Sequence, residues 1–382
     1  MARFVGGGPW REGDPAGRRQ FADVGTLALE VRGALPDVRV AYETWGTLNA
    51  DRSNAVLVLH ALTGDSHVSG PAGPGHPSAG WWDALVGPGR PLDTDTWFVV
   101  APNVLGGCQG TTGPASAAHD GRPWGSRFPF LTVRDQVEAE RRLADLLRID
   151  TWATVIGGSM GGMRALEWAV THPERVASAV VLASGAYATA EQIGWCQPQL
   201  LAIRSDPAWR GGDYGSADED DPGPVTGLGI ARRIAHLTYR SETELATRFG
   251  RDPQGDEQPL GGGGRYAVES YLDHHADKLS RRFDARSYVV LTEAMNAHDI
   301  GRGRGGVAAA LQRVRADLVV AAVDSDRLYP ARLSAEIADL APTARPLTTV
   351  HSDYGHDGFL IETHQVGRIV RDALPQVRAP IS

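Results

Sequence analysis

Short apolar runs alternate along the chain with longer segments in which apolar residues recur at helical spacing. This alternation predicts an α/β fold, in which helices cover both faces of a largely parallel sheet. Alternating apolar and polar residues at 26–31 and 38–45 predict a hairpin at the edge of that sheet. The runs rich in Val, Leu and Ile, predicted as buried strands, are 55–59, 96–101, 153–156, 179–183, 317–323 and 346–350.

The middle of the chain departs from this alternation. Residues 187–306 lack clear buried-strand runs apart from an ambiguous one at 287–291, and they hold amphipathic segments separated by loops rich in Gly, Asp and Pro, notably 211–224 and 250–264. This pattern predicts a helical insertion. The predicted helices are 133–147, 160–171, 330–340 and 366–374 outside the insertion, and 191–202, 226–239, 242–249, 268–283 and 287–297 within it.

Four parts of the chain follow from this pattern. Residues 1–20, rich in Gly, Arg and Pro, are predicted to form a loose N-terminal arm. Residues 21–186 and 307–382 are predicted to form the two halves of one α/β core, with the helical segment 187–306 inserted between them.

Composition narrows the class of protein. The 382 residues include 38 Lys and Arg against 46 Asp and Glu, and the resulting net charge of −8 argues against nucleic acid as a partner. No apolar stretch reaches the length of about 18 residues that a membrane span needs, and the first residues do not resemble a secretory signal. Two cysteines fit a reducing compartment, so we expect a cytoplasmic protein. The acidic run at 218–221 is predicted to be a solvated loop, and we expect no metal site.

The strongest chemical signal lies between a predicted strand and a predicted helix. There the chain reads Gly157-x-Ser159-x-Gly161, the pattern of a nucleophile elbow. Such a serine sits on a sharp, strained turn, and the neighbouring glycines leave room for the backbone. Ser159 is therefore predicted to be a nucleophile, and the backbone N–H of Met160, at the helix N-terminus, to donate to an oxyanion.

A serine nucleophile needs a base and a carboxylate, which follow it along the chain in this pattern. The strand predicted at 317–323 is followed by two candidate acids, Asp324 and Asp326. The loop after the last predicted strand holds two candidate bases, His351 and His356, of which His356 is the better placed for a loop histidine.

A second oxyanion donor is expected from the loop that follows the strand at 55–59. The N–H of Leu62 in this loop is our candidate. The predicted chemistry is acyl transfer through an acyl-serine. With water as acceptor the protein is an esterase, and with an alcohol it is a transferase.

Several further short motifs are spread over most of the chain. They read HALTGD at 60–65, GWWD at 80–83 with GPG at 87–89, NVLGGCQGTTGP at 103–114, GGSMGGM at 157–163, AR and LTYRS within 231–241, SDRLYP at 325–330 and YGHDGF at 354–359. With these segments the sequence resembles the homoserine O-acetyltransferases of methionine biosynthesis, which have the α/β-hydrolase fold. The resemblance implies Ser159, Asp326 and His356 as the catalytic triad.

The resemblance also implies a binding site for a zwitterionic substrate. Arg232 is expected to bind the homoserine α-carboxylate and Asp357 its α-amine, with Tyr239 near the substrate. Residue chemistry agrees, because a zwitterion needs an opposite charge at each end and arginine binds carboxylates bidentately. Arg233 is the alternative to Arg232.

The remaining expectations follow from the same resemblance. The helical insertion is expected to be a lid that excludes water from the site and to contact a second copy of the chain in a homodimer. Acetyl-CoA is expected as co-substrate, with no permanently bound cofactor. The alternatives are a homoserine O-succinyltransferase, a serine O-acyltransferase and a serine esterase.

Overall fold

An eight-stranded, mostly parallel sheet is the centre of the molecule. The computed structural model describes residues 8–215, 221 and 223–375. The strand order is β1-β2-β6-β3-β7-β8-β9-β10, and a separate small sheet pairs β4 with β5. The strands are β1 Gln20–Ala28, β2 Ala34–Trp45, β3 Ala55–Leu59, β4 Val86–Gly87, β5 Leu92–Asp93, β6 Phe98–Pro102, β7 Thr154–Gly158, β8 Ser178–Leu182, β9 Asp317–Val323 and β10 Thr348–Val350.

Helices precede and follow the inner strands, as the sequence pattern predicts. They are α1 Val133–Leu146, α2 Met160–Thr171, α3 Ala190–Arg204, α4 Val225–Tyr239, α5 Glu242–Phe249, α6 Ala267–Ser280, α7 Ala285–Asn296, α8 Val307–Leu311, α9 Ala331–Leu340, α10 Gly358–Ile361 and α11 Thr363–Ala373. The ambiguous run at 287–291 lies inside α7. The predicted hairpin is confirmed as the antiparallel pair of β1 and β2. The first strand lies earlier than predicted, at 20–28, and residues 29–31 belong to the turn.

Both faces of the sheet are covered, which explains the continuous apolar runs of the inner strands. Leu57 of β3 packs in one apolar cluster with Trp168 of α2, whereas its neighbour Val56 packs in another with Val366 of α11. Successive strand residues therefore face opposite helical layers. Parallel strands β3, β7, β8 and β9 end at a common edge, and the loops that follow them carry the candidate site.

The segment between β8 and β9 is helical where the structure describes it. It adds α3 to α8 and contributes no strand to the eight-stranded sheet within the described residues. A third apolar cluster joins Leu228 of α4 and Tyr288 of α7 to Leu62 and Met160 beside the site. The acidic run at 218–221 lies outside the described residues except for Asp221.

The predicted loose arm at 1–20 differs from the structure. Residues 1–7 lie outside the described part. Residues 8–19 are mostly exposed, but hydrogen bonds such as Trp10 N–H to the Cys108 carbonyl tie them to the rest of the fold, and β1 already begins at Gln20. Arg19 is buried, and its guanidinium donates to the Gly75 carbonyl at 2.8 Å and to the Gln109 side chain at 3.0 Å. A buried guanidinium requires such acceptors, so this part of the arm is held in place.

The sequence pattern also missed the short parallel pair of β4 and β5, because two-residue strands carry no periodicity. None of the helices in the described part of the chain has the length and apolar character needed to span a bilayer.

Candidate active site

Ser159 lies on a strained turn between β7 and α2. Its backbone has φ 56° and ψ −124°, in the left-handed half of conformational space that non-glycine residues rarely adopt. The turn is tight on both sides: a Cβ on Gly161 would lie 2.1 Å from the Leu59 carbonyl oxygen, and one on Gly157 would lie 2.1 Å from the Gly161 carbonyl oxygen. Glycine is therefore required at both positions, which explains the motif.

His356 and Asp326 complete a hydrogen-bonded chain with this serine. The Ser159 hydroxyl lies 2.8 Å from His356 Nε2, and His356 Nδ1 lies 2.6 Å from Asp326 Oδ2. The other oxygen of Asp326 accepts the backbone N–H groups of Leu328 and Tyr329, each at 2.8 Å. These bonds orient the carboxylate, and the carboxylate in turn holds the ring with Nε2 towards the serine.

The charge of Asp326 changes the acidity of the imidazole. Burial lowers the pKa of His356, but Asp326 more than offsets this effect, and the pKa lies above its usual value. The ring of Tyr329 stacks on the imidazole at 5.1 Å, and Phe359 approaches edge-on at 5.5 Å. The ring is thus fixed by packing as well as by hydrogen bonds.

The two competing residues form a separate pair. His351 Nδ1 lies 2.8 Å from Asp324 Oδ2, and the His351 side chain is 77% exposed. His356 and Asp326 are both buried and both belong to the chain of bonds at Ser159. Of the two candidate acids and the two candidate bases, the structure therefore places Asp326 and His356 at Ser159.

Leu62 and Met160, the predicted oxyanion donors, both lie at the serine. Leu62 lines the same cavity as Ser159, and Met160 directly follows it at the first turn of α2. Neither backbone N–H has an acceptor among the hydrogen bonds of the described residues. The Leu62 loop is tied to the elbow helix, because buried Arg164 of α2 donates to the His60 carbonyl at 2.5 Å and pairs with Glu140 of α1 at 2.6 Å.

A cavity of about 240 Å³ opens beside Ser159 and contains the predicted binding residues Arg232, Tyr239 and Asp357. Arg232 projects from α4, and its Nε and one terminal nitrogen are buried without a hydrogen-bond partner in the described part of the chain. Its guanidinium lies over the Tyr239 ring at 5.4 Å. A buried, unsatisfied guanidinium in a cavity is suited to an anionic ligand group.

Arg233, the alternative to Arg232, has a different environment. Its guanidinium binds Asp273 at 2.7 Å, and the side chain is about one-third exposed. Of these two arginines, only Arg232 lines the cavity.

Two histidines behind Arg232 are held neutral. Burial, reinforced by Arg232, lowers the pKa of His236 to about 2 and that of His275 to about 4. The positive charge in this cavity therefore comes from arginines and from Lys278.

Asp357 is the acid of this cavity, and sequence reasoning missed its partner. Arg240 Nε lies 3.4 Å from Asp357 Oδ2. Burial raises the pKa of Asp357 above its usual value, although Arg240 and His356 oppose the rise. The one available sequence signal for Arg240 was its position directly after Tyr239 in the LTYRS segment.

A second, smaller cavity of about 40 Å³ also borders Ser159. It shares Leu62 and Tyr239 with the first cavity, and the described residues that line it include no charged side chain or histidine. Ser159 thus borders one cavity lined by charged side chains and one whose described lining side chains are uncharged.

One group of described residues places potential metal ligands together, away from the serine: Glu43, His67 and His76. The two rings stack at 3.8 Å with an interplanar angle of 11°. An ion bound through an imidazole nitrogen lies close to the plane of that ring, so these parallel rings cannot share one ion as they stand. His67 binds Glu43 at 3.0 Å, and His76 Nε2 accepts the Arg18 N–H at 3.0 Å. The group is a buried hydrogen-bond network, and the absence of a metal site stays a prediction.

Comparisons with known proteins identify the family of the chain. A family model described as the alpha/beta hydrolase fold matches residues 54–363. The chain is 64% identical over 370 residues to the homoserine O-acetyltransferase of Thermobifida fusca, covering 97% of each chain. It is 58% identical over 371 residues to that of Clavibacter michiganensis, covering 96% of this chain and 95% of the relative.

Solved structures give the same fold. The homoserine O-acetyltransferase from Bacillus anthracis superimposes with a TM-score of 0.84 at 26% identity, over 94% of this chain and 98% of that one. Esterase E22 also superimposes with a TM-score of 0.84, at 24% identity over 94% of this chain and 99% of that one. At that identity, the likeness to the esterase shows the fold alone.

Proposed function

The chain belongs to the homoserine O-acetyltransferase family of the α/β-hydrolase fold, and we propose that it transfers an acetyl group from acetyl-CoA to the γ-hydroxyl of L-homoserine through an acyl-enzyme on Ser159. The observation that carries this proposal is the continuous chain of hydrogen bonds from Ser159 through His356 to Asp326, at the floor of a cavity that also holds Arg232 and Asp357. The candidate nucleophile and two side chains of opposite charge thus line the same cavity.

In the first half-reaction, His356 Nε2 takes the hydroxyl proton as Ser159 Oγ attacks the thioester carbonyl. The backbone N–H groups of Leu62 and Met160 donate to the resulting oxyanion. Asp326 stabilises the imidazolium that forms. The carbon–sulfur bond then breaks, the imidazolium returns its proton to the sulfur, and CoA leaves as the thiol with the acetyl group bound to Ser159.

In the second half-reaction, homoserine replaces CoA. Arg232 binds its α-carboxylate and Asp357 its α-ammonium, with Tyr239 beside them. Because Asp357 directly follows His356, the amine end lies near the base, which takes the γ-hydroxyl proton. The γ-oxygen attacks the acetyl carbonyl, the ester bond to Ser159 breaks, and the proton on His356 returns to the serine. This order predicts ping-pong kinetics.

The neutral cavity supports acetyl over succinyl as the transferred group. A succinyl group carries a carboxylate, which would have to be buried there without a cation among the described lining residues. Homoserine O-succinyltransferase therefore ranks behind the acetyl reaction. Serine as the acceptor remains a second alternative, since it carries the same two charged ends.

A serine esterase is the alternative with water as acceptor. The elbow, base and carboxylate would serve it equally well. A generic ester, however, offers no carboxylate for the buried, unpartnered nitrogens of Arg232 and no ammonium group for Asp357. These two charges favour an amino-acid acceptor.

The same proposal includes the lid, the dimer and the compartment. Helices of the segment 187–306 cover the serine and would exclude water that competes with homoserine. Exposed apolar side chains on its helices α3 and α4, namely Ile193, Trp195, Leu201, Ile230 and Leu237, support a homodimer through this segment. A cytoplasmic location remains the expectation from composition.

The decisive experiment follows thiol release from acetyl-CoA with and without L-homoserine. We expect release to depend on homoserine and acetylated Ser159 to be detectable by mass spectrometry without it. Ser159→Ala should reduce turnover by at least about 10³-fold while folding survives. Parallel assays with succinyl-CoA and L-serine test the two family alternatives. Thiol release that is indifferent to homoserine would leave the esterase as the better description.

Arg232→Ala tests the acceptor site. Loss of a charge-assisted contact of about 1.5–3 kcal/mol should raise the homoserine KM by roughly 10- to 100-fold. Acetylation of Ser159 should change little. Arg233→Ala is the matched control, since its partner Asp273 lies outside the cavity. An equal loss of activity in both variants would contradict the role of Arg232.

A further inference from the structure

Arg240 follows the last residue of α4 and lies beside the acid of the acceptor site. Its Nε is 3.4 Å from Asp357 Oδ2, and its guanidinium lies over the Tyr354 ring at 5.8 Å. The Arg240 side chain is largely buried, with 11% of its surface exposed. Glu244, one turn further along, is its other acidic neighbour at 3.9 Å.

The backbone around Arg240 is tied to the loop that carries the base. Ser241 donates its hydroxyl to the Asp353 carbonyl. Gly355, with φ 67°, packs so closely that a Cβ there would lie 2.8 Å from the Tyr239 carbonyl oxygen. The end of α4 and the loop 353–357 therefore hold each other in one arrangement.

We propose that Arg240 is a positioning residue for the acceptor site. Its guanidinium holds one oxygen of the Asp357 carboxylate, so that the other oxygen faces the ammonium group of the substrate. The inference deepens the proposed function and rests on it. Asp357 Oδ2 is the oxygen nearer to Arg240 Nε, and the contact is an ion pair without hydrogen-bond geometry. No hydrogen bond among the described residues occupies either oxygen of Asp357, so its other oxygen is free of a protein partner. Asp357 also lines the cavity, so an ammonium group there has a carboxylate oxygen available.

The charges around Asp357 explain why such a residue is needed. Burial favours the neutral acid, and a neutral carboxyl binds an ammonium group poorly. Arg240 and Arg232 from the α4 side, together with His356, favour the ionised form, whereas Asp326 behind His356 opposes it. The phenols of Tyr239 on α4 and Tyr271 on α6 also face this charge, since Asp357 contributes to the raised pKa of each. Of the two arginines, Arg240 is the one that forms an ion pair with Asp357.

The test compares Arg240→Gln and Arg240→Lys with wild type, and uses Arg233→Gln as the matched control on the same helix. Two quantities are measured from pH 5 to 9: the rate of Ser159 acetylation by acetyl-CoA alone, and kcat/KM for homoserine. Acetylation of Ser159 uses His356 as base and does not use Asp357 as a binding group, whereas transfer to homoserine uses both residues. Circular dichroism checks the fold of each variant.

We expect Arg240→Gln to raise the homoserine KM about tenfold, because a charge-assisted contact that orients Asp357 is lost, with the acetylation rate within about twofold of wild type. Loss of the cation raises the pKa of Asp357, so the acidic limb of the homoserine profile should move to higher pH. The acetylation profile should not follow it upward, because Asp357 in its neutral form no longer raises the pKa of His356. Arg240→Lys should restore part of both effects, and Arg233→Gln should match wild type.

Two results would overturn the inference while the proposed function stands. One is an Arg240→Gln enzyme whose homoserine KM and acidic limb equal those of wild type. The other is a variant that loses acetylation and homoserine transfer equally, which indicates a general structural role. Failure of the proposed function has a different signature: the wild-type protein itself would transfer no acetyl group to homoserine, and the role assigned to Arg240 would fall with it.

Discussion

At the scale of single residues, the surroundings of a histidine decide what it can do. His351 and His356 each bind an aspartate, at 2.8 Å and 2.6 Å. The His351 pair is exposed, where solvent screens the charges and the interaction contributes little. The His356 pair is buried, its carboxylate is held by two backbone N–H groups, and its free ring nitrogen faces Ser159. The same two residue types thus form an exposed ion pair in one place and a buried candidate base in the other.

This difference predicts opposite outcomes for matched substitutions. His356→Gln should lower the rate of Ser159 acetylation by at least about 10³-fold, because no group remains to take the proton. His351→Gln should leave that rate within about twofold. Rapid-quench mass spectrometry of the acyl-enzyme measures both. Comparable losses in the two variants would contradict the assignment of His356 as base.

The raised pKa of His356 predicts the pH dependence of the first half-reaction. The ring must be neutral to accept the serine proton, so the acetylation rate should fall as the pH drops through the pKa of His356. The midpoint should lie above 6.5, the usual value for histidine. Asp326→Asn removes the cause of the rise and should move the midpoint of its residual activity to lower pH. A wild-type midpoint at or below 6.5 would contradict this explanation.

At the scale of elements, the site depends on how closely β3, β7 and α2 approach one another. The first turn of α2 lies against the end of β3, and the loop that carries Leu62 starts there. Arg164, one turn further along α2, binds the same loop through the His60 carbonyl. One helix therefore positions both the nucleophile and the loop expected to stabilise the oxyanion.

Gly161→Ala tests this close approach. The new methyl group would meet the Leu59 carbonyl oxygen at 2.1 Å, and neither backbone can move without displacing a buried strand. We expect a loss of about 1–3 kcal/mol or more in the free energy of unfolding, measured by urea denaturation, with a large loss of acetylation. Gly73→Ala is the control, because its Cβ meets open space and should change stability by less than about 0.5 kcal/mol. Similar effects at both positions would refute the steric argument.

At the scale of the whole molecule, the residues of the candidate site come from distant parts of the chain. The serine lies in the first half of the core, the base and acid lie in the second half, and Arg232 lies in the segment between them. Helices of that segment line both cavities at the serine, and α3 and α4 also carry exposed apolar side chains. The proposed lid and the proposed dimer contact are both located in this segment.

The dimer prediction belongs to this scale. Light scattering should give twice the mass of the 40.8 kDa chain, and the double variant Leu201→Asp, Ile230→Asp should behave as a monomer, because charges would be buried in the interface. Val31→Asp, an exposed apolar position at the β1–β2 turn, is the control and should stay dimeric. A wild-type monomer, or a double variant that remains dimeric, would rule out this interface.

Much of the fold and part of the site follow from local signals in the sequence. The inner strands are visible because each is buried on both faces and must be apolar throughout, and the elbow is visible because its glycines are required by contacts within a few residues of the serine. The order of nucleophile, acid and base along the chain also limits the choice of partners, since the edge of the sheet brings these loops together.

Only the tertiary structure decided what depends on contacts between distant segments. It paired Asp326 rather than Asp324 with His356, left Arg232 without a partner while Arg233 bound Asp273, and placed Arg240 against Asp357. It also held residues 8–19 on the core through Arg19. A sequence records the charge and size of each side chain, but burial and the identity of the neighbouring charge arise only when the chain is folded, and these determine which groups can react.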